Sequence, residues 1–239
     1  RKVQAGAEDP TMIEHAREGN VHVVTLGDDA NLINPAFVAR LHEALDAVDA
    51  ASNGPSGLIL TGRGKFFSNG LDVPTLMKLE PEAMKQFNRD LVRAFGRLVT
   101  APIPTAAAVN GHAFAGGAVL ALTCDWRVMR ADRGWICMSE VDAGVPIGTG
   151  PMAMLRAKLP AATVRDAVLK GQRYAADDAI AAGWADAKAP EDGLVAAAVP
   201  PIQRTAGDQA GHPPLRAEPW LMSAPHMFGQ PARATISRC

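Results

Sequence analysis

Cysteine is scarce in this chain: Cys124, Cys137 and Cys239 are the 3 among 239 residues, they show no C-x-x-C spacing, and an odd number leaves one unpaired. That usage excludes a disulfide framework and points to a reducing compartment, read here as cytoplasmic. Excess charge is missing as well. Lys and Arg number 24 against 25 Asp and Glu, a formal net charge of -1. Without a basic surface the chain is not suited to nucleic acid. Long apolar runs are absent, since the best candidate, Ala113 to Thr123, is broken by glycine and falls short of the ~18 residues a membrane span requires. Arg1 to Asp9 has no signal-peptide core, so residues 1–11 read as a polar tail or vector remnant, with Met12 as a start. The 6 histidines are scattered without ligand spacing, and no metal site is expected. No internal repeat is visible.

What is present is the material of one large α/β core. The hydrophobic share of 48% is ordinary for a globular chain of this length. Val21 to Leu26 is β-branched and apolar, a strand. Asn34 can cap a helix whose first turn holds Pro35, and Phe37, Val38, Leu41, Leu45 and Val48 recur along its buried face. Gly57 to Thr61 reads as a second strand, and strand, helix, strand is the unit of a parallel sheet. A helix is expected over Pro81 to Thr100, strands over Thr105 to Val109 and Asp125 to Met129, and an Ala/Gly-rich helix after Asn110-Gly111-His112, reaching Leu122. Further helices are expected over Pro151 to Lys158, Thr163 to Lys170 and Ala176 to Ala182. From Pro190 the prolines at 200, 201, 213, 214, 219, 225 and 231 argue against long helices.

Two glycine-bearing segments follow strands. One is Phe66-Phe67-Ser68-Asn69-Gly70-Leu71-Asp72; the other is Asn110-Gly111-His112-Ala113-Phe114-Ala115-Gly116-Gly117. In a parallel sheet, strand C-termini and helix N-termini gather on one side, where backbone N–H groups are free. Two of them converging make an oxyanion hole. Tight turns with packing glycines are the plainer reading and stay open on composition alone. A Walker phosphate loop at Gly62-Arg63-Gly64-Lys65 is rejected, because Phe66 stands where Ser or Thr is required.

Thr61 through Asp72 resembles the first oxyanion loop of the crotonase (enoyl-CoA hydratase/isomerase) superfamily. Pro104 through Asp125 resembles its second signature, and Gly171, Tyr174, Ala176, Asp178, Ala179, Gly183 and Asp186 resemble its later segment. The resemblance implies a crotonase-like ββα spiral of two roughly perpendicular sheets flanked by helices, with residues 12–189 as its core. It also implies an acyl-CoA substrate, in which CoA is part of the substrate and no separate cofactor is needed. The donors it implies are the Leu71 and Gly116 N–H groups. Ser68, Asn69, Gly70, Asp72 and Gly117 fall at substrate-binding positions, with Asp72 fixing the loop rather than reacting. His112 is given a packing or hydrogen-bonding role.

Hydratases of this family use two glutamates. Here the first position holds Val119, and the second corresponds to Glu140 in Met138-Ser139-Glu140-Val141-Asp142. Valine cannot activate water. One carboxylate suffices for a 1,3-proton shift, taking a proton from C2 of a 3-enoyl thioester and returning it at C4. Met138 and Val141 beside Glu140 favour a raised pKa. The segment through Pro146 is most similar to plant-type Δ3,Δ2-enoyl-CoA isomerases, and residues 146–151, where another isomerase lineage carries its acid, contain none. Hydration, thioester hydrolysis or decarboxylation on the same fold, and a non-catalytic acyl-CoA-binding role, are the alternatives. The family's trimerisation helices would fall in residues 190–239, so a homotrimer or dimer of trimers is implied, against the proline content of that segment.

Overall fold

The computed structural model describes residues 13–27, 30–52 and 54–208. Two expectations, the tail at 1–11 and most of the proline-rich stretch after 208, lie outside them. The chain opens with strands β1 (Glu14–Glu18) and β2 (Val21–Thr25), helix α1 (Pro35–Ala51), then strands β3 (Gly57–Thr61) and β4 (Phe66–Ser68). Helices α2 (Val73–Leu76) and α3 (Pro81–Val99) precede β5 (Thr105–Val109), β6 (His112–Phe114) and α4 (Gly116–Leu122). β7 (Trp126–Arg130) and β8 (Ile136–Cys137) lead into α5 (Glu140–Ala143), α6 (Thr149–Lys158), α7 (Ala161–Lys170) and α8 (Ala176–Ala181). β9 (Ala187–Ala189) and α9 (Leu194–Asp208) complete the described part.

Two sheets result. The larger runs β1-β2-β3-β5-β7-β9 and the smaller β4-β6-β8. Only the β1–β2 pair is antiparallel; the other pairs of both sheets are parallel. Each of β3, β5 and β7 is followed by a short strand of the smaller sheet and then by helix, so three successive ββα turns build the spiral. Side-chain alternation divides the larger sheet between two cores. Leu58, Leu60, Ala107 and Val109 face the main core with α1, α3 and α4, while Ile59, Ala106, Ala108 and Val128 pack with α9. No helix among the described residues is long and apolar enough to cross a membrane.

Two differences from the sequence expectations concern helices. His112 to Phe114 is a strand, not the start of the Ala/Gly-rich helix; that helix begins only at Gly116. At the other end α9 continues through Pro200 and Pro201, where a break was expected. Leu194, Ala198 and Ile202, one helical turn apart, are buried against the sheet, and that burial outweighs the two backbone bonds that proline removes.

Candidate active site

The smaller sheet is the frame of the site. β4, β6 and β8 lie side by side and parallel, about 4.8 Å apart as sheet strands are. Leu71 comes three residues after β4, Gly116 two after β6 and Glu140 three after β8. The three therefore emerge at the same edge, in that order. A β-carbon placed on Gly70 would lie 3.2 Å from the Gly116 nitrogen, and one on Gly116 would lie 3.7 Å from the Leu71 nitrogen. The two N–H groups are near neighbours, and among the described residues neither donates to another protein group.

How Leu71 keeps its N–H free can be traced bond by bond. The flanking groups are all taken: Asn69 N–H by the Ala30 carbonyl (2.9 Å) and Asp72 N–H by the Ile33 carbonyl (3.1 Å). The Gly70 carbonyl accepts from Ile33 N–H at 2.8 Å, and Gly70 N–H donates to the Ser68 hydroxyl at 3.2 Å. Gly70 has φ +84, a conformation that side chains resist. Asp72 caps α2 by accepting the Thr75 N–H at 3.2 Å and accepts the Asn34 side-chain amide at 3.2 Å. Those hydrogen bonds, Thr75 first, hold its carboxyl below the usual range. Its place is that of a loop fastener.

Ser68 is fully buried. The hydroxyl is committed to the Asn31 carbonyl at 2.7 Å, beneath the loop. Its own carbonyl lies where a β-carbon on Gly117 would come within 2.2 Å, which is why residue 117 has no side chain. Asn69 is exposed. On the second loop Ala115, between β6 and α4, takes φ 49 and ψ −116, a region that belongs to glycine. It is held there by its N–H donating to the Cys137 carbonyl at 2.9 Å.

Glu140 opens α5. Its Oε2 is buried without a hydrogen-bond partner among the described residues. Burial pushes its carboxyl above the ordinary range, opposed in part by a bond to its own backbone. Met138 beneath it is buried as expected, but Val141 is 45% exposed and does not enclose the acid. Asp142 is exposed and turns toward Gly171. Val119, at the place of the absent carboxylate, is buried in α4. His112 is packed among Phe66, Phe114 and Trp135 and accepts the Trp135 N–H; burial, then the Lys65, Arg133 and Arg173 charges, lower its pKa. Arg63 is spent on a paired contact with Glu14. Leu71, Val73 and Met77 on one side, and Val141 and Val145 on the other, give the edge an exposed apolar rim. Asn31 was not singled out from sequence, because a single Asn in a loop carries no pattern. Among the described residues no group of three His, Cys, Asp or Glu side chains is arranged to hold a metal ion.

Residues 16–212 match the enoyl-CoA hydratase/isomerase family. The chain is similar to enoyl-CoA delta isomerase 3 of Arabidopsis thaliana, 36% identical over 77% of this chain and 80% of that protein. It is likewise similar to the peroxisomal enoyl-CoA delta isomerase 2 of the same plant, at 36% identity with the same coverage, 77% and 80%. Among solved structures it resembles a probable enoyl-CoA hydratase of Mycobacterium tuberculosis, with a TM-score of 0.76, 28% identity and 83% of each chain covered. Spiral, loops and relatives agree: the chain belongs to the enoyl-CoA hydratase/isomerase family and is an enzyme of the crotonase superfamily.

Proposed function

We propose that the protein moves the double bond of a 3-enoyl-CoA thioester to the 2-position. The observation that carries this reading is a single carboxyl, Glu140, with a raised pKa, beside two unengaged N–H groups at one sheet edge. The Leu71 and Gly116 N–H groups donate to the thioester oxygen and stabilise the dienolate. Glu140 takes the C2 proton, carries it while the dienolate exists, and delivers it to C4; no atom is gained or lost. A raised pKa suits a group that must both accept and return a proton near neutrality. Asn69, Gly70 and Gly117 border the thioester, while Ser68 and Asp72 brace the loop behind them. The delta isomerase names of the plant relatives support the same reading.

Hydration is the rival; the mycobacterial neighbour is called a hydratase in one solved structure and an isomerase in another, so its name favours neither reaction. Val119 counts against hydration, since a buried valine leaves the attacking water without a second carboxylate. Incubation with 3-hexenoyl-CoA, followed by the absorbance of the conjugated thioester, tests the proposal. Conjugated product should accumulate, and crotonyl-CoA should not be hydrated. No conjugation, or efficient hydration of crotonyl-CoA, would sink it.

A further inference from the structure

We infer that Asn31 is the positioning residue for the Leu71 N–H, acting through Ser68 and Ile33; this rests on reading Leu71 as an oxyanion donor. Asn31 is only 7% exposed and has φ 48, a left-handed conformation that Asn tolerates better than other residues with side chains. Its side-chain amide donates into the backbone of its own segment and of strand β4, toward the carbonyls of Gly27 (3.1 Å), Phe67 (3.1 Å) and Phe66 (3.3 Å). Two amide hydrogens serve three carbonyls, so the group is used to capacity. A glycine would supply the backbone angle but none of these bonds.

The left-handed turn at Asn31 sets the course of the chain through Ile33. The Asn31 carbonyl meets the Ser68 hydroxyl at 2.7 Å. With that proton committed, the Ser68 oxygen is left to accept the Gly70 N–H at 3.2 Å. Two residues beyond Asn31, the Ile33 N–H holds the Gly70 carbonyl at 2.8 Å. In a planar trans peptide the carbonyl and the next N–H point in opposite directions. Pinning the Gly70 carbonyl toward Ile33 therefore aims the Leu71 N–H away from residues 30–34. The same Ile33 reaches under Gly116, where its Cδ1 would be 3.2 Å from an added β-carbon. One short segment thus fixes the direction of one donor and supports the other.

The test uses Asn31→Gly, which keeps the backbone and removes the amide, and Ser68→Ala, which removes one oxygen. The bound chromophore is 2,4-hexadienoyl-CoA, whose absorption shifts to the red when its carbonyl is polarised. In both variants kcat for 3-hexenoyl-CoA should fall about 10- to 100-fold, less than or equal to loss of a whole donor, with KM within about threefold. The red shift seen with wild type should shrink in both, and the double variant should lose little beyond the worse single one, as members of one relay do. If Asn31→Gly does not fold, Ser68→Ala carries the test. A full wild-type red shift in both folded variants, or a loss confined to KM, overturns the relay and leaves the oxyanion reading intact. No red shift and no turnover in wild type overturns both.

Discussion

Replacing Glu140 with glutamine should make the enzyme slower and the fold firmer at the same time. The carboxyl has one oxygen buried without a partner among the described residues, and burial raises its pKa above the ordinary 4.5. An unsatisfied buried polar atom costs about 1–3 kcal/mol, more when charged. Glutamine still buries a polar atom but never a charge, so a recovery of about 1 kcal/mol is expected, or about 2–4 °C for a fold of this size. The pH dependence gives the effect its signature. Below 4.5 both folded and unfolded chains hold the proton, and the wild type bears no penalty. As pH rises past 4.5 the unfolded chain releases its proton first, the folded chain binds more protons, and wild-type stability declines until the folded pKa is passed. Urea melts of the two proteins should therefore converge near pH 4.5 and separate toward pH 8, with the variant above. Over the same range isomerisation of 3-hexenoyl-CoA should drop by at least about 100-fold, while binding of a saturated acyl-CoA stays within a few-fold. Near-wild-type turnover, or a stability gap that does not change with pH, would refute the assignment of Glu140 as a desolvated base.

Three further substitutions probe the frame. Ala115→Gly relieves a conformation costing about 1–3 kcal/mol and loses part of that to unfolded-chain entropy; Tm should rise by about 2–4 °C while kcat falls several-fold as the Gly116 N–H gains freedom, and a lower Tm would contradict the strain argument. Gly117→Ala sets a β-carbon 2.2 Å from the Ser68 carbonyl, so the urea midpoint should fall by the equivalent of at least about 1–3 kcal/mol, with activity lost in the folded fraction. Val119→Glu should give a less stable protein, because the site is 3% exposed and a buried charge is costly. Any crotonyl-CoA hydration it gains over the wild type would locate the reaction choice at this position.

Strands β2, β3, β5 and β7 of the larger sheet were legible because they are long and apolar enough to show themselves, whereas the three-residue β9 was not. Val21–Thr25, Gly57–Thr61 and Thr105–Val109 lie where their composition put them, and α1 begins as read, with Asn34 accepting the Phe37 N–H beside Pro35. The smaller sheet was not, although it carries the site. Its strands are two or three residues long, below the length at which alternation can be seen. β1, Glu-His-Ala-Arg-Glu, is a polar edge strand recognisable only from its partner. The two loops announced themselves through glycines and through resemblance, but several hydrogen bonds behind them join distant positions, as Asn31 joins residues 66–68, 35–37 positions away. Such pairings depend on the fold and leave no local trace. Pro200 and Pro201 misled for the opposite reason: local chemistry argued for a break, and distant burial prevailed.

The crossing of α9 over the larger sheet bears on how the protein is made. Strands β2, β3, β5, β7 and β9 stand in the sheet in the order in which the chain supplies them, so a chain emerging from the ribosome can lay down each on the edge left by the one before. The helix that covers Ile59, Ala106, Ala108 and Val128 arrives last of the described elements. Until Leu194, Ala198 and Ile202 have been synthesised, no other described helix covers that face, and exposed apolar surface of this kind is prone to aggregate. Alanines at 106 and 108 in place of larger side chains keep the waiting face shallow, so α9 can lie close to the strands, with Leu194 and Ile202 buried against them and Ile202 seated over Gly57.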